Sequence, residues 1–193
     1  MNNTFDKETH TYTIGGRVAP GNTEILTDVG LRESFFDKEW YADKGSKIHL
    51  ACHFHNKGTL KWESVDPLIY GYVEGYIKFK RECNVKVLES EYRVFHERFI
   101  YGTTIDSIDE LELMGKRFSA IVEIKSGQPQ PSDQIQTAGQ QMAYDSSNCT
   151  YSALRRFVLY LNQNGTYKLV ECRDTDDYVI FHAATVIYHA KRR

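Results

Sequence analysis

The sequence lacks the paired cysteines that mark small metal-binding and redox folds. Its four cysteines, Cys52, Cys83, Cys149 and Cys172, are scattered without any C-x-x-C pair. This spacing argues against a zinc ribbon and gives an iron–sulfur cluster little support. We therefore expect free thiols, mostly buried, and no iron–sulfur cluster.

Long apolar runs and a dominant charge are also missing. No run approaches the length of a membrane span, and the first residues, "MNNTFDKETH", lack the basic and apolar regions of a signal peptide. We expect no membrane partner and a cytoplasmic location. The formal net charge is -2, so any surface that binds nucleic-acid phosphates must be local.

The composition and the hydrophobic pattern predict one mixed domain over residues 1–193. Hydrophobic residues make up 41% and charged residues 26% of the chain, as in ordinary globular proteins. An N-terminal hairpin and helices are expected over 1–84, a β-rich core over 85–172 and a C-terminal helix over 175–193. The order of helices, three strands, a helix, two strands and a helix predicts an α/β or α+β fold with a sheet covered by helices.

One stretch, "SAIVEIKSG" at 119–127, combines a buried strand with two ionisable side chains. Strand geometry places Glu123 and Lys125 on the same face and Ile124 on the other. Ionised groups are costly to bury unless they are paired or bind a metal. A plain Glu123–Lys125 ion pair is the simpler interpretation, but it leaves a further acid on the preceding strand unexplained.

That further acid is Asp106, in "YGTTIDSI". A turn between the two strands can bring Asp106 beside Glu123, and two carboxylates so close repel each other unless a cation lies between them. Oxygen ligands suit Mg²⁺ or Mn²⁺. A lysine next to such an ion can orient or activate a water molecule, or stabilise developing negative charge.

Five motifs occur in a characteristic order along the chain. A predicted helix carries G-x-x-x-H at Gly45 to His49, and the first core strand carries the acid Glu91. A Gly-Thr-rich turn precedes Asp106, and the next strand carries acid-x-Lys at Glu123 to Lys125, followed by Gly127. The helix after it carries Gln and Tyr within Gln136 to Tyr144. From Gly45 to Tyr144 the chain resembles the PD-(D/E)XK nuclease superfamily. Within it, the chain is most similar to the RecB-like branch, which includes phage exonucleases and CRISPR-associated accessory nucleases.

The resemblance implies a metal site. It assigns the metal to His49, Asp106, Glu123 and the backbone carbonyl of Ile124, with one or two Mg²⁺ or Mn²⁺ ions bound. Lys125 is then expected to act on the attacking water. The imidazole of His49 makes Mn²⁺ at least as suitable as Mg²⁺, because nitrogen ligands favour transition ions.

The resemblance leaves the glutamine of the following helix ambiguous. "QTAGQ" places Gln136 at the usual distance after the strand, and we favour Gln136 as the catalytic glutamine. "QQMAY", with Gln140 and Tyr144, has the family's letters one helical turn later and remains an alternative. Ser132 or Asp133 is expected to cap this helix. Glu91 is an auxiliary candidate that could equally be a surface strand residue.

Substrate-contacting residues are expected near the His49 helix. Four basic residues are candidates for contacts with DNA phosphates: Lys44, Lys47, Lys57 and Lys61. Four aromatic residues could stack on unpaired bases, although we favour a place in the helix core for them: Tyr70, Tyr72, Tyr76 and Phe79.

The resemblance further implies a restriction-endonuclease-like core, with a central mixed sheet flanked by helices, and a metal-dependent deoxyribonuclease activity. We expect an exonuclease that serves phage or prophage DNA recombination, repair or degradation in the bacterial host. Its partner is single- or double-stranded DNA, together with a recombinase or single-strand annealing protein. A structure-selective or nicking endonuclease and a catalytically weak DNA-binding module are the alternatives.

Overall fold

The computed structural model describes residues 3–33, 39–149 and 153–193, with the backbone alone described for 39–42. The helices are α1 (Asn22–Asp28), α2 (Glu39–Asn56), α3 (Tyr70–Glu82), α4 (Pro131–Asn148) and α5 (Asp176–Ala190). The strands are β1 (Thr4–Asp6), β2 (Thr11–Ile14), β3 (Arg17–Ala19), β4 (Lys86–His96), β5 (Tyr101–Leu113), β6 (Lys116–Lys125), β7 (Arg155–Leu161) and β8 (Tyr167–Glu171).

Two sheets organise the chain. The larger sheet has the order β4-β5-β6-β7-β8, in which β6 and β7 are parallel and the other neighbours are antiparallel. The connection between the parallel strands includes α4, because parallel strands require a crossover. The smaller sheet, β1-β2-β3, extends the predicted N-terminal hairpin by one strand. The prediction of a mixed α/β fold with helices around a mixed sheet is confirmed.

Helices cover both faces of the larger sheet. On one face, α2 and α3 pack through residues such as Ile48 and Phe79 against the β6 side chains Val122 and Ile124. On the other face, α1, α4 and α5 form a second core to which Ile121 belongs. Strand β6 is central, so its alternating side chains are buried on both faces. Any polar side chain in the middle of β6 therefore lies inside the protein.

Helix α4 begins before the residues expected to cap it. The N-cap residue is Gln130, Pro131 occupies the first turn, and the Asp133 carboxylate accepts the Gln130 backbone N–H at 2.9 Å. The prediction of Ser132 or Asp133 as the cap was wrong. Proline is favoured at the first helical position, and an acid three residues after the cap stabilises the exposed N–H groups from inside the helix.

The cysteines are free thiols. Cys52, Cys83 and Cys172 are buried and Cys149 is exposed, which confirms the expectation of mostly buried free cysteines. Within the described ranges, none of the helices has both the length and the apolar character that crossing a membrane would need.

Candidate active site

Strands β5 and β6 separate at Asp106, and this separation creates the candidate site. Their ladder ends at the pair Ser107–Val122, so Asp106 and Glu123 are the next residues on the two strands. The Oδ2 atom of Asp106 accepts the backbone N–H of Ile124 at 2.7 Å. The carboxylate thus satisfies an N–H group of β6 where the two strands diverge, and the predicted proximity of Asp106 and Glu123 is confirmed.

Three side chains from different elements converge beside this point. The Nδ1 atom of His49, on α2, lies 3.1 Å from Oδ1 of Asp106. Glu91, on β4, lies across from Asp106, because its neighbours pair with Ser107 and Ile105. One ligand atom from each of His49, Glu91 and Asp106 lies within 4.8 Å of the other two. We call these three residues the His49 triad.

The backbone of Glu91 adopts an unusual conformation. Its φ angle is 55°, in the left-handed region that residues with a Cβ rarely occupy and that costs on the order of 1 kcal/mol or more. Such outliers cluster at functional sites, where the surrounding structure holds them in place. The sequence left Glu91 as either an auxiliary or a surface residue, and the structure places its carboxylate next to Asp106.

The charges of the triad depend on one another. Burial and the negative charge of Asp106 raise the pKa of Glu91 to about 7. Burial also favours the neutral form of Asp106, but the charge and hydrogen bond of His49 and the Ile124 N–H outweigh it and lower the pKa. Burial opposes protonation of His49, yet Asp106 raises the pKa of this imidazole to about 9. Asp106 is therefore the ionised centre of the triad.

The triad has the donors that a divalent cation requires. Once a metal displaces the proton that Asp106 favours on His49, one imidazole nitrogen and two carboxylates would form a mixed set that suits Mn²⁺ and accommodates Mg²⁺. Burial raises the pKa of Glu91 and the charge of Asp106 raises it further; a bound cation would relieve this repulsion between the two carboxylates. His49, Glu91 and Asp106 thus fit a divalent metal.

Glu123 lies in a separate cage of hydrogen-bond donors. Its Oε1 atom accepts bonds from Lys125 Nζ and Gln136 Nε2, both at 2.7 Å, and its Oε2 atom accepts one from Gln140 Nε2 at 2.6 Å. Burial and the charge of Asp106 raise the pKa of Glu123, while Lys125 acts to lower it. The Glu123–Lys125 contact is therefore one part of a larger network and is more than a plain ion pair.

Gln136 connects this cage to two residues that the sequence analysis did not assign to the site. Its Oε1 atom accepts bonds from Lys125 Nζ at 2.8 Å and from Arg32 Nη1 at 3.1 Å. Arg32 also lies 3.6 Å, and Lys125 4.0 Å, from Oδ1 of Asp133. Arg32 belongs to no motif, and Asp133 was considered only as a helix cap. Because Arg32 and Asp133 are about 100 residues apart, no local sequence pattern indicates that they pair.

Both candidate glutamines reach Glu123, and Tyr144 does not. Gln136 and Gln140 are four residues apart and so share one face of α4. Tyr144 packs instead against the second core and the ring of Tyr92, with centroids 6.2 Å apart. The favoured candidate Gln136 and the alternative Gln140 therefore both contact Glu123, from the same face of α4.

The predicted DNA-contacting residues fall into different environments. Lys44 Nζ donates to the Tyr72 hydroxyl at 3.3 Å, and Lys47 forms ion pairs with Asp43 and Asp66. Lys57 and Lys61 are exposed. The preference for aromatic residues in the helix core is confirmed for three of them, since these are buried: Tyr72, Tyr76 and Phe79. Tyr70 is exposed and contacts Trp62.

No protein-family model matches this chain, and no curated protein shows significant sequence similarity to it. Its function is therefore inferred from the side chains of the site and from the order of its motifs.

Proposed function

We propose that this protein is a metal-dependent deoxyribonuclease with a restriction-endonuclease-like core of the PD-(D/E)XK type. The observation that carries the proposal is the convergence of the His49 triad with the cage around Glu123 at the point where β5 and β6 separate. Five elements, α2, β4, β5, β6 and α4, contribute these side chains. Buried ionisable groups with perturbed pKa values cluster at functional sites, and here they come from five different elements.

Phosphodiester hydrolysis accounts for each group. His49, Asp106 and Glu91 would hold the metal, and Glu123 and the Ile124 carbonyl are the further ligands that the resemblance implies. A divalent ion bound there would supply Lewis-acid stabilisation of the phosphate and activation of water. Lys125 stands 2.7 Å from Glu123 and 2.8 Å from Gln136, so its ammonium group is held in one orientation toward the water or the developing charge.

The glutamines and Arg32 act on the position of Lys125. Gln136 accepts a bond from Lys125 and donates one to Glu123, and Gln140 donates to the other oxygen of Glu123. Arg32 adds a positive charge beside Gln136. Together these contacts keep the lysine and the carboxylate aligned before substrate arrives, which is the condition for electrostatic catalysis.

A local basic surface next to the triad offers a path for the DNA backbone. His53 follows His49 by one helical turn, and burial together with the positive charges of Lys57, Lys7 and Arg93 lowers its pKa. These charges come from the turn after α2, from β4 and from the turn between β1 and β2. Of the four lysines suggested by the sequence, we retain Lys57 as a phosphate contact and add Lys7 and Arg93.

The biological setting follows from the motif resemblance. We propose an exonuclease that acts on phage or prophage DNA during recombination, repair or degradation, in the cytoplasm of a bacterial host. A recombinase or a single-strand annealing protein is the proposed partner. A structure-selective or nicking endonuclease would use the same residues and differ in how DNA ends reach them.

The test is a cleavage assay on linear and closed circular DNA, single- and double-stranded, with Mg²⁺, Mn²⁺ or EDTA. We expect loss of linear DNA with either metal and none with EDTA. The Glu123→Gln variant should be inactive, because a neutral amide neither balances the charge of Lys125 nor offers a metal the anionic oxygen of a carboxylate. Glu110→Gln, on β5 and paired with Lys86 and Arg117 at the surface, is the matched control and should remain active.

The remaining outcomes decide between the alternatives. Cutting of closed circles would identify an endonuclease. Activity retained by Glu123→Gln would contradict the site assignment. Absence of cleavage with every metal, combined with DNA binding in a gel-shift experiment, would favour the DNA-binding module over the nuclease.

A further inference from the structure

Helix α5 has an apolar face that points away from the rest of the described protein. Its inner face, which includes Phe181, Ala184 and Tyr188, is buried against the second core. Its outer face carries four large aliphatic side chains with exposed fractions of 65%, 38%, 53% and 51%, belonging to Val179, Ile180, Val186 and Ile187. Exposed apolar residues contiguous on one helix face mark an interaction surface.

The outer face has the spacing of a helix–helix seam. Residues that alternate by three and four positions line up on one side of a helix, as in coiled coils. Starting from the first residue of α5, this spacing selects Asp176, Val179, Ala183, Val186, Ala190 and, just after the helix, Arg193. All six are exposed. We call this set the α5 seam.

The α5 seam is complementary to itself when reversed. Paired with an antiparallel copy, Asp176 lies opposite Arg193, Val179 opposite Ala190, and Ala183 opposite Val186. Each of the two seam valines then meets an alanine, and the acid at one end meets the base at the other. A parallel pairing would place Asp176 against Asp176 and Arg193 against Arg193, which is repulsive.

We propose that two copies of this chain associate through their α5 seams in an antiparallel, two-fold symmetric dimer. An isologous interface of this kind needs one self-complementary patch on each subunit, and the α5 seam meets that requirement in shape and in charge. The antiparallel arrangement also opposes the two helix dipoles favourably. The proposal does not depend on the proposed nuclease activity.

The body of the protein holds the seam in place. Gly139 of α4 lies so close to α5 that a Cβ there would be 2.6 Å from the Phe181 ring, and the Tyr178 hydroxyl donates to Gln141 at 2.6 Å. Asp28 forms ion pairs with Lys191 and Arg192. Helix α5 therefore presents a rigid surface, on the side opposite to α4 and its site glutamines.

Sedimentation equilibrium over a wide range of protein concentration tests the association. We expect the unmodified protein to form a concentration-dependent dimer and Val186→Glu to be monomeric, because the added carboxylate would lie against Ala183 of the second copy. Val18→Glu, at an exposed position on β3, is the matched control and should still dimerise. A monomeric unmodified protein, or a Val186→Glu variant that dimerises as well as the control, would overturn the proposal.

Charge exchange tests the orientation. Asp176→Lys should weaken the dimer, and adding Arg193→Asp to the same chain should restore it, because the two ends then carry the opposite pair of charges. A structural role of Asp176 at the helix start would not be rescued by a change at residue 193. Failure of this rescue would therefore count against the antiparallel pairing.

Cross-linking gives an independent measure of orientation. In a Cys149→Ser background, Val179→Cys combined with Ala190→Cys should form a covalent dimer when diamide is added. Val179→Cys alone should not, because the two introduced thiols would lie about 16 Å apart at 1.5 Å per residue along antiparallel helices. Cross-linking by the single variant would indicate parallel pairing and contradict the proposal.

Discussion

Two carboxylates on β5, three residues apart, show what surroundings do to a buried acid. Asp106 and Asp109 are both almost completely buried. Asp106 accepts bonds from the Ile124 N–H and from His49, and these outweigh burial and lower its pKa. The acid is thereby kept ionised although it lies inside the protein.

Asp109 lies further along β5, near α3, where its charge acts on Tyr76 and Lys80. Its Oδ1 atom accepts the Ser107 hydroxyl at 2.5 Å, while Oδ2 has no hydrogen-bond partner among the described residues. Burial raises its pKa to about 7, although Ser107 and the charge of Lys80 act in the other direction. Burial alone therefore does not determine whether an acid is ionised. The hydrogen-bond donors and charges around it also contribute.

Neutralising each acid in turn gives the largest contrast. Under the proposed function, Asp106→Asn should lower the rate of DNA cleavage by about a thousandfold or more, because it removes a proposed metal ligand and such groups act as one unit. Asp109→Asn should leave the rate unchanged, because its side chain does not reach the site. Single-turnover cleavage measures both rates, and circular dichroism checks that each variant is folded. Equal losses in two folded variants would contradict the distinct role proposed for Asp106.

The pH dependence of the free energy of unfolding tests whether Asp109 is protonated in the folded protein. Its pKa is raised in the folded state from an ordinary value of 3.8 to about 7, so the folded protein binds more protons than the unfolded chain between these values. This group therefore lowers stability as pH rises through the window, by roughly 1 kcal/mol per pH unit. Asp109→Asn should flatten this decline.

Urea denaturation of the two proteins at several pH values measures the effect. The difference between wild type and variant isolates residue 109 from the other groups that titrate in the same range. Parallel stability curves would mean that Asp109 is ionised in the folded state and that the contrast with Asp106 is smaller than its hydrogen bonds suggest.

A smaller loss of cleavage rate is expected when a residue that only hydrogen-bonds to a site carboxylate is changed. Gln140→Ala removes a donor from Glu123 and should lower the cleavage rate about tenfold, as is usual for residues that orient a metal ligand, the role proposed for Glu123. Gln141→Ala is the matched control on the next position of α4, where the side chain bonds to Leu154 and Tyr178. A loss of rate as large as that of Asp106→Asn would place Gln140 in direct contact with substrate.

The elements and motifs were largely predictable from the sequence. Strand periodicity indicated that Glu123 and Lys125 share a face and that the preceding strand brings Asp106 close, and the structure agrees. The helix after β6 was expected to supply a glutamine, and it supplies two. These features are local or involve consecutive strands, so that spacing along the chain suffices to locate them.

The membership of the His49 triad was less predictable. Whether Glu91 joins His49 and Asp106 depends on the β4–β5 register and on an unusual φ angle, and neither can be obtained from the spacing of acids. Arg32 reaches Gln136 from another part of the chain. Contacts of this kind form only when segments distant in the sequence pack together, so the spacing of residues along the chain does not predict them.

By itself, the sequence determined which side chains can be ionised, which face of each strand they occupy and in what order the elements follow. The tertiary structure alone decided the ionisation of those side chains. Asp106 and Asp109 have the same chemistry and nearly the same burial. They differ because α2 and β6 bring donors to Asp106, whereas the donor to Asp109 is Ser107 of its own strand. A carboxylate responds to the field at its own position, and that field exists only after distant segments have packed.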